Sequence, residues 1–292
     1  MHYSLYAGFS MIPLSNYHSH CTFCDGRSLP EDFIKFALAH GFRAYGFSSH
    51  SPLPFETFWN MPKDDMPDYL AEIDRLKRKY EGRLEIYVGL EIDYLDGTYN
   101  ASIPYFRQLP LDYRIGSIHY LPVSTELKEA NMVCIDGSFR EYAHAVNRHF
   151  EGDIRKLVER FFASTLEMIR AGGIDIVGHL DKIYMNGQKF ADFSFEADWY
   201  REPLRACLEE IARKGLMVEV NTKNWLKKAE LYPRREYLSL VRELGIPVMV
   251  NSDCHYPDLV NDGRAEAFAF LKAAGFRSTM ERVGGRWEEV AI

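Results

Sequence analysis

Short apolar runs alternate with longer amphipathic stretches along most of this chain. Runs at residues 14–17, 44–47, 84–90, 113–118, 174–177, 216–220 and 246–250 span a few residues each, and several are rich in β-branched side chains. Continuous apolar runs of that length predict strands buried on both faces, as in a parallel sheet. The stretches between them read as helices. Ser28-Leu29-Pro30-Glu31 has the form of a capping box with an early proline, and Phe33, Phe36, Ala37 and Ala39 follow before Gly41. Tyr69, Leu70, Ile73 and Leu76 recur at helical spacing within 67–80, and a long helical pattern over 139–170 is divided near Gly152-Asp153. Segments 203–214, 234–244 and 265–274 run up to Gly215, Gly245 and Gly275, the residue type that commonly closes a helix.

Seven strands alternating with helices predict an α/β fold with a parallel sheet. Polar residues follow the runs at nearly every strand end: His18, His50, Glu91, His119, His179, Asn221 and Asp253. A barrel gathers all such ends around one mouth, whereas an open sheet spreads them along a line. The pattern therefore predicts a barrel, read as one domain over residues 1–292 with its motifs between about 14 and 258. No G-x-G-x-x-G follows a strand, so nothing supports a dinucleotide site.

Composition narrows the function. The 292 residues are 47% hydrophobic, enough for one large core, and carry a net charge of −7. That balance disfavours long nucleic acids and membrane surfaces as partners, because both are bound through basic residues. No apolar run reaches the ~18 residues of a membrane span. The N-terminal stretch to Leu14 lacks a basic segment and a clear cleavage site and is not read as a signal peptide; Met11 is a second candidate start. The five cysteines, Cys21, Cys24, Cys134, Cys207 and Cys254, form no disulfide framework, which fits a reducing cytoplasm. Cys21 and Cys24 are read as packing residues rather than a redox pair, since they lie in a loop. The sequence specifies no oligomeric state.

The chemistry lies in the strand-end residues. His18 and His20 are two apart on an extended segment, so both imidazoles share one face. Asp253 and His255 repeat that spacing, and Asp25 follows His20 in a loop. Six of the ten histidines occupy these positions. The other four, His2, His40, His144 and His149, are read as non-ligands, although His144 and His149 could face a pocket. Mixed imidazole and carboxylate ligation suits Zn, Mn or Fe, and ligand type does not choose among them. Nine such groups exceed the needs of one ion, because zinc takes three or four protein ligands. They suit two to three divalent ions, one bridged by a carboxylate such as Glu91.

His18-Ser-His20, Asp25-Gly26, Ser49-His50, Gly89-Leu-Glu91, Gly116-Ser-Ile-His119, Gly178-His179-Leu-Asp181, Glu219-Val-Asn221-Thr222 and Ser252-Asp253-Cys-His255 form an ordered set running from His18 to His255. Together they resemble the PHP (polymerase and histidinol phosphatase) superfamily, and most of all its histidinol-phosphatase branch. The resemblance implies a distorted (β/α)7 barrel with a trinuclear metal centre held by His18, His20, Asp25, His50, Glu91, His119, His179, Asp253 and His255. It implies hydrolysis of L-histidinol phosphate to L-histidinol and phosphate by a metal-bound hydroxide, in histidine biosynthesis. Glu91, Asp253 and His255 are the expected catalytic residues, with Asp253 or a histidine near the leaving group.

Members of that branch resemble one another in carrying phosphate-clamping arginines after the Gly-His and Asn-Thr motifs. Here Lys182 follows Asp181, and Lys223 and then Lys227 follow Thr222. Lys182 and Lys223 are the candidate phosphate-binding residues, acting as point charges without arginine's bidentate fork. This departure leaves open a second reading, a phosphoesterase of the same superfamily acting on another small phosphoester or a nucleotide. A metal-dependent amidohydrolase would also place H-x-H at a first barrel strand, but no position suggests a carboxylated lysine. A decayed, non-catalytic metal scaffold should lack ligands, and none is missing. Tyr94, Tyr120, Phe139 and Trp225 are candidate pocket aromatics.

Overall fold

The computed structural model describes residues 14–292, so the readings made of the N-terminal stretch and of Met11 fall outside the described residues. Among the described residues eleven strands occur in chain order: β1 (Ser15–Asn16), β2 (Ala44–Phe47), β3 (Glu85–Asp93), β4 (Tyr113–Ser117), β5 (Tyr120–Pro122), β6 (Met132–Cys134), β7 (Ile176–Val177), β8 (Met217–Asn221), β9 (Val248–Asn251), β10 (Ser278–Val283) and β11 (Arg286–Ala291). Seven form one sheet in the order β1-β2-β3-β4-β7-β8-β9, and every pairing in it is parallel. Each matches one of the apolar runs, with ends shifted by up to three residues.

The sheet curls until β1 meets β9. Ser19 and Cys254 form a single parallel bridge, and the His20 N–H donates to the Cys254 carbonyl at 3.0 Å. Two asparagines complete the seam. The Tyr17 N–H donates to Asn251 Oδ1 at 2.9 Å, and the Ser252 N–H donates to Asn16 Oδ1 at 2.8 Å. The result is the nearly closed α/β barrel that the alternation predicts.

The strand starts make a tyrosine-rich floor. Tyr17, Tyr87, Tyr113, Ile115, Met217 and Met249 pack there. Tyr113 crosses beneath β2 and β3, where a Cβ on Gly89 would lie 2.6 Å from its ring, and its hydroxyl donates to the Tyr17 carbonyl at 2.6 Å. The antiparallel hairpin β10–β11 covers this floor, with Trp287 edge-on to Tyr17 at 5.0 Å and the Arg282 N–H donating to Tyr17 Oη at 2.7 Å. This end is therefore plugged, and the opposite end, where the strands finish, is left for the site.

Helices clothe the barrel largely as their periodicity predicts, but two expectations need correction. Helix Pro30–Ala39 begins after Leu29, which has no capping group, so Ser28 and Glu31 form no capping box. Glu31 instead accepts from Arg75 at 3.1 Å and Tyr80 at 2.8 Å, and cross-helix pairing has displaced the local cap. The helix expected from 203 starts at Asp198, where Trp199 and Tyr200 pack on Phe193, and it carries Pro203 in its second turn at the cost of the hydrogen bond to the Trp199 carbonyl. The hairpins β5–β6 and β10–β11 were not expected, since neither has a long apolar run. The helical pattern over 139–170 divides as read, into Phe139–His149 and Ile154–Ala171. Among the described residues no helix is long and apolar enough to cross a membrane.

Candidate metal centre

All nine strand-end residues converge at the open mouth. Period-2 alternation on the extended exit of β1 aims His18 and His20 inward, while Ser19 turns out to donate to the Gly46 carbonyl. His18 Nε2 lies 3.2 Å from Glu91 Oε2, and His20 Nε2 lies 3.1 Å from Asp253 Oδ1. The chain then turns back so tightly that a Cβ on Gly26 would sit 2.3 Å from the Cys21 nitrogen. Only glycine fits there, and the turn carries Asp25 to 3.2 Å from His255 Nε2 and 3.7 Å from His50 Nε2.

Glu91, fully buried in β3, is the centre of the cluster. Its Oε2 lies 2.8 Å from His50 Nδ1, and its Oε1 lies 2.8 Å from His179 Nε2 and 3.5 Å from His119 Nε2. Asp253 is held with φ +48, a left-handed conformation that Asp tolerates better than most residues and that turns its carboxylate inward. Four overlapping groups offer ligand atoms within 4.8 Å of one another: His20, Asp25, His50 and His255; His18, His20 and Asp253; His50, Asp93 and His119; and Glu91, His119 and His179.

The hydrogen-bond ledger shows what the cluster lacks. His18 Nε2, His20 Nε2, Asp25 Oδ1, His50 Nδ1, Glu91 Oε2 and His119 Nε2 are buried and make no hydrogen bond, even though His50 Nδ1 and Glu91 Oε2 lie 2.8 Å apart, because the atoms are not aligned for one. Each such atom costs about 1–3 kcal/mol when left unpaired. Six of them facing one volume fit a site whose missing partners are cations. The residues present thus suit divalent metal ions in donor type, number and direction.

Electrostatics agree. Burial opposes ionisation of Glu91, yet His18, His119 and His50 hold its carboxyl well below the usual range. Asp253 is likewise kept ionised against burial by Lys223 and His18, which makes it an acceptor rather than a proton donor. Burial also opposes charge on His119, but Asp93 and Glu91 outweigh it and raise the imidazole to about 9. His179 is lowered to about 4 by burial and then by Lys182. A field strong enough to hold a proton on His119 is one that attracts a metal ion in its place.

Four nearby residues were missed. Asp93 accepts from His119 Nδ1 at 3.1 Å and from its N–H at 2.9 Å; its i+2 spacing from Glu91 is the same signal that marks His18 and His20. Glu219 accepts from His18 Nδ1 at 2.9 Å, and the sequence signal for it is its place two residues before Asn221 in the Glu219-Val-Asn221-Thr222 motif. Asp136 pairs with Lys182 at 2.9 Å, so that lysine is buried and tied to a carboxylate. Trp59 stands edge-on to His50 at 4.6 Å and donates from Nε1 to Tyr120 Oη at 3.2 Å; it lies in an irregular segment with no periodic signal. Lys223 Nζ sits 2.9 Å from Asp253 Oδ1 and 3.4 Å from His255 Nε2.

Two clefts open from the cluster. One of about 620 Å³ is walled by Trp59, Tyr120, Glu129, Glu141 and His144, and it reaches His149. The other, about 340 Å³, carries Arg27, Lys223 and Lys227. Of the expected aromatics, Tyr120 lines the larger cleft. Trp225 packs on Phe270, Phe139 packs on Phe190, and Tyr94 is buried and donates to Glu167.

The PHP domain profile matches residues 16–223, which span five of the seven barrel strands completely and most of the site. The chain belongs to the PHP domain family. Among curated proteins, it is 29% identical to a protein of Deinococcus radiodurans named probable histidinol-phosphatase, over 93% of this chain and 98% of that one. It is 28% identical to the histidinol-phosphatase of Bacillus subtilis, over 82% and 92%. Among solved structures, histidinol phosphate phosphatase of Lactococcus lactis, a complex with zinc, L-histidinol and phosphate, shares the fold at TM-score 0.73 and 23% identity, over 94% of this chain and 98% of that one. The fold is thus common to both chains.

Proposed function

We propose that this PHP-family protein is a metal-dependent phosphomonoesterase that hydrolyses L-histidinol phosphate. The observation that carries the reading is the convergence of six unpartnered buried ligand atoms on the mouth of the barrel. Relatives named histidinol-phosphatase match along nearly their whole length, and one neighbour of the same fold holds zinc, L-histidinol and phosphate. His18, His20, Asp25, His50, Glu91, His119, His179, Asp253 and His255 would hold two to three divalent ions, of which zinc is the favoured identity.

When bound, such ions supply Lewis-acid stabilisation of phosphoryl oxygens and a supply of hydroxide near neutral pH. The chain's own residues do the rest. Three ionised carboxylates, Asp25, Glu91 and Asp253, would balance part of the ionic charge. Lys223, at the edge where both clefts meet, would set its ammonium against the phosphoryl oxygens. Lys182 adds a fixed charge from below, held by Asp136. Glu91 and His255 orient the cluster, and Asp253 anchors Lys223. The larger cleft suits the rest of the substrate: Trp59 and Tyr120 offer flat faces to an imidazole, and Glu129 and Glu141 offer charge to an amino group.

Free thiols at all five cysteines and the absence of a membrane-crossing helix among the described residues support a cytoplasmic setting for a small-molecule reaction. The test is phosphate release from L-histidinol phosphate before chelation, after chelation and after zinc is restored. Activity that follows metal through the cycle supports the reading; activity indifferent to chelation overturns it.

A further inference from the structure

Glu219 has no place among the nine residues, yet it is tied to more of them than any ligand needs. It lies in β8 and is fully buried. Four donors converge on it. His18 Nδ1 approaches both oxygens, at 3.0 and 2.9 Å. The His179 N–H and Asn221 Nδ2 donate to Oε1, each at 2.8 Å, and Asn251 Nδ2 donates to Oε2 at 3.0 Å. Asn221 Nδ2 also reaches Asp253 Oδ2 at 3.2 Å. One carboxylate therefore fixes the ring of His18, the backbone of His179 and, through Asn221, the carboxylate of Asp253.

Accepting those hydrogen bonds does not explain a charge. Among the described residues Glu219 has no lysine or arginine within ion-pair distance, and His18 is its sole charged-type partner. A buried carboxylate is costly without a counter-charge, whereas a neutral amide would satisfy some of the same donors at lower cost. The charge makes sense when the far side of His18 faces a cation. The Nδ1–H to carboxylate bond fixes the tautomer, leaves Nε2 free as a ligand atom and makes it more basic. His18 Nε2 is one of the buried atoms without a partner.

We propose that Glu219 is a positioning residue for one particular ion, the one held by His18, His20 and Asp253. It sets the orientation and basicity of His18 while Asn221 carries the same constraint to Asp253. The group formed by His20, Asp25, His50 and His255 shares only His20 with it and contains no residue that Glu219 touches. This inference rests on the metal-centre reading above.

The test uses full-length wild type, Glu219→Gln and Glu219→Asp, stripped of metal and titrated with zinc against a competing chromophoric chelator. Glu219→Gln removes the charge; Glu219→Asp keeps it but draws it back by one methylene. The expected result is a 10–100-fold weaker affinity for one zinc equivalent, with the remaining equivalents bound as in wild type. Thermal unfolding of the metal-free proteins is the control. Unchanged affinities overturn the proposal. So does equal weakening of every equivalent, or failure of both variants to fold, since Glu219 would then serve stability alone. Wild type that binds no zinc would instead overturn the metal-centre reading itself, a separately visible outcome.

Discussion

Glu91 Oε1 lies 2.8 Å from His179 Nε2, while the other oxygen of the same carboxylate lies 2.8 Å from His50 Nδ1. Residues from two other strand ends thus meet on one buried side chain, an arrangement that would suit a carboxylate shared between two ions. Glu91→Ala should remove bound metal and activity together, by more than the 10–100-fold typical of an outer-shell change. Metal content and phosphate release on the same sample check this; a fully metallated, active variant contradicts it.

Lys182 is buried and paired with Asp136, which is itself about a quarter exposed. Removing either partner alone leaves a charge without its counter-ion. Lys182→Met should cost roughly 2–3 kcal/mol, below the usual figure for a wholly buried pair because solvent reaches Asp136. The double variant Lys182→Met with Asp136→Leu should recover most of that stability but not the activity. Urea midpoints and kcat/KM on the three variants test it, and full activity in the double variant would remove Lys182 from phosphate binding.

Burial lifts the Asp181 carboxyl to about 7, against a donated Arg234 N–H at 3.1 Å and the Arg234 charge. Because the folded value lies above the unfolded one, the native state takes up a proton between about pH 4 and 7. The associated stability is full below that window and is lost as pH rises through 7, with a slope approaching about 1.4 kcal/mol per pH unit. Asp181→Asn should abolish this component. The difference in unfolding free energy between the two proteins at pH 5 and pH 8 measures it, and a difference that does not vary with pH refutes it.

Trp59 walls the larger cleft beside His50. Losing one flat apolar face in contact with a substrate ring costs on the order of 1–2 kcal/mol. Trp59→Ala should raise KM for L-histidinol phosphate roughly tenfold and leave kcat nearly unchanged. A small aryl phosphate, which needs less of the cleft, should respond less. Equal effects on both substrates would place Trp59 outside the recognition surface.

Much of this was legible in the residue order. Apolar runs marked all seven barrel strands, an imidazole or carboxylate followed six of them and Asn221 the seventh, because strand period and burial leave a direct trace in sequence. Asp93 has the same i+2 spacing from Glu91, but its role of holding the His119 ring depends on a contact between neighbouring strands that local pattern does not carry. The role of Glu219 depends on the crossing from β8 to His18, a relation between residues 201 positions apart that local pattern does not carry. Trp59 and the β10–β11 plug were hidden for a different reason. They earn their places through tertiary packing against His50 and Tyr17, not through periodicity. The capping box failed because Glu31 found stronger partners on a neighbouring helix.

Substrate identity is tested most directly by the ratio of two rates. Metal-replete protein should release phosphate from L-histidinol phosphate with kcat/KM on the order of 10⁴ M⁻¹s⁻¹ or more, well above its value for a generic aryl phosphate. Comparable, weak rates on both would contradict the assignment and point the same metal centre at another small phosphoester.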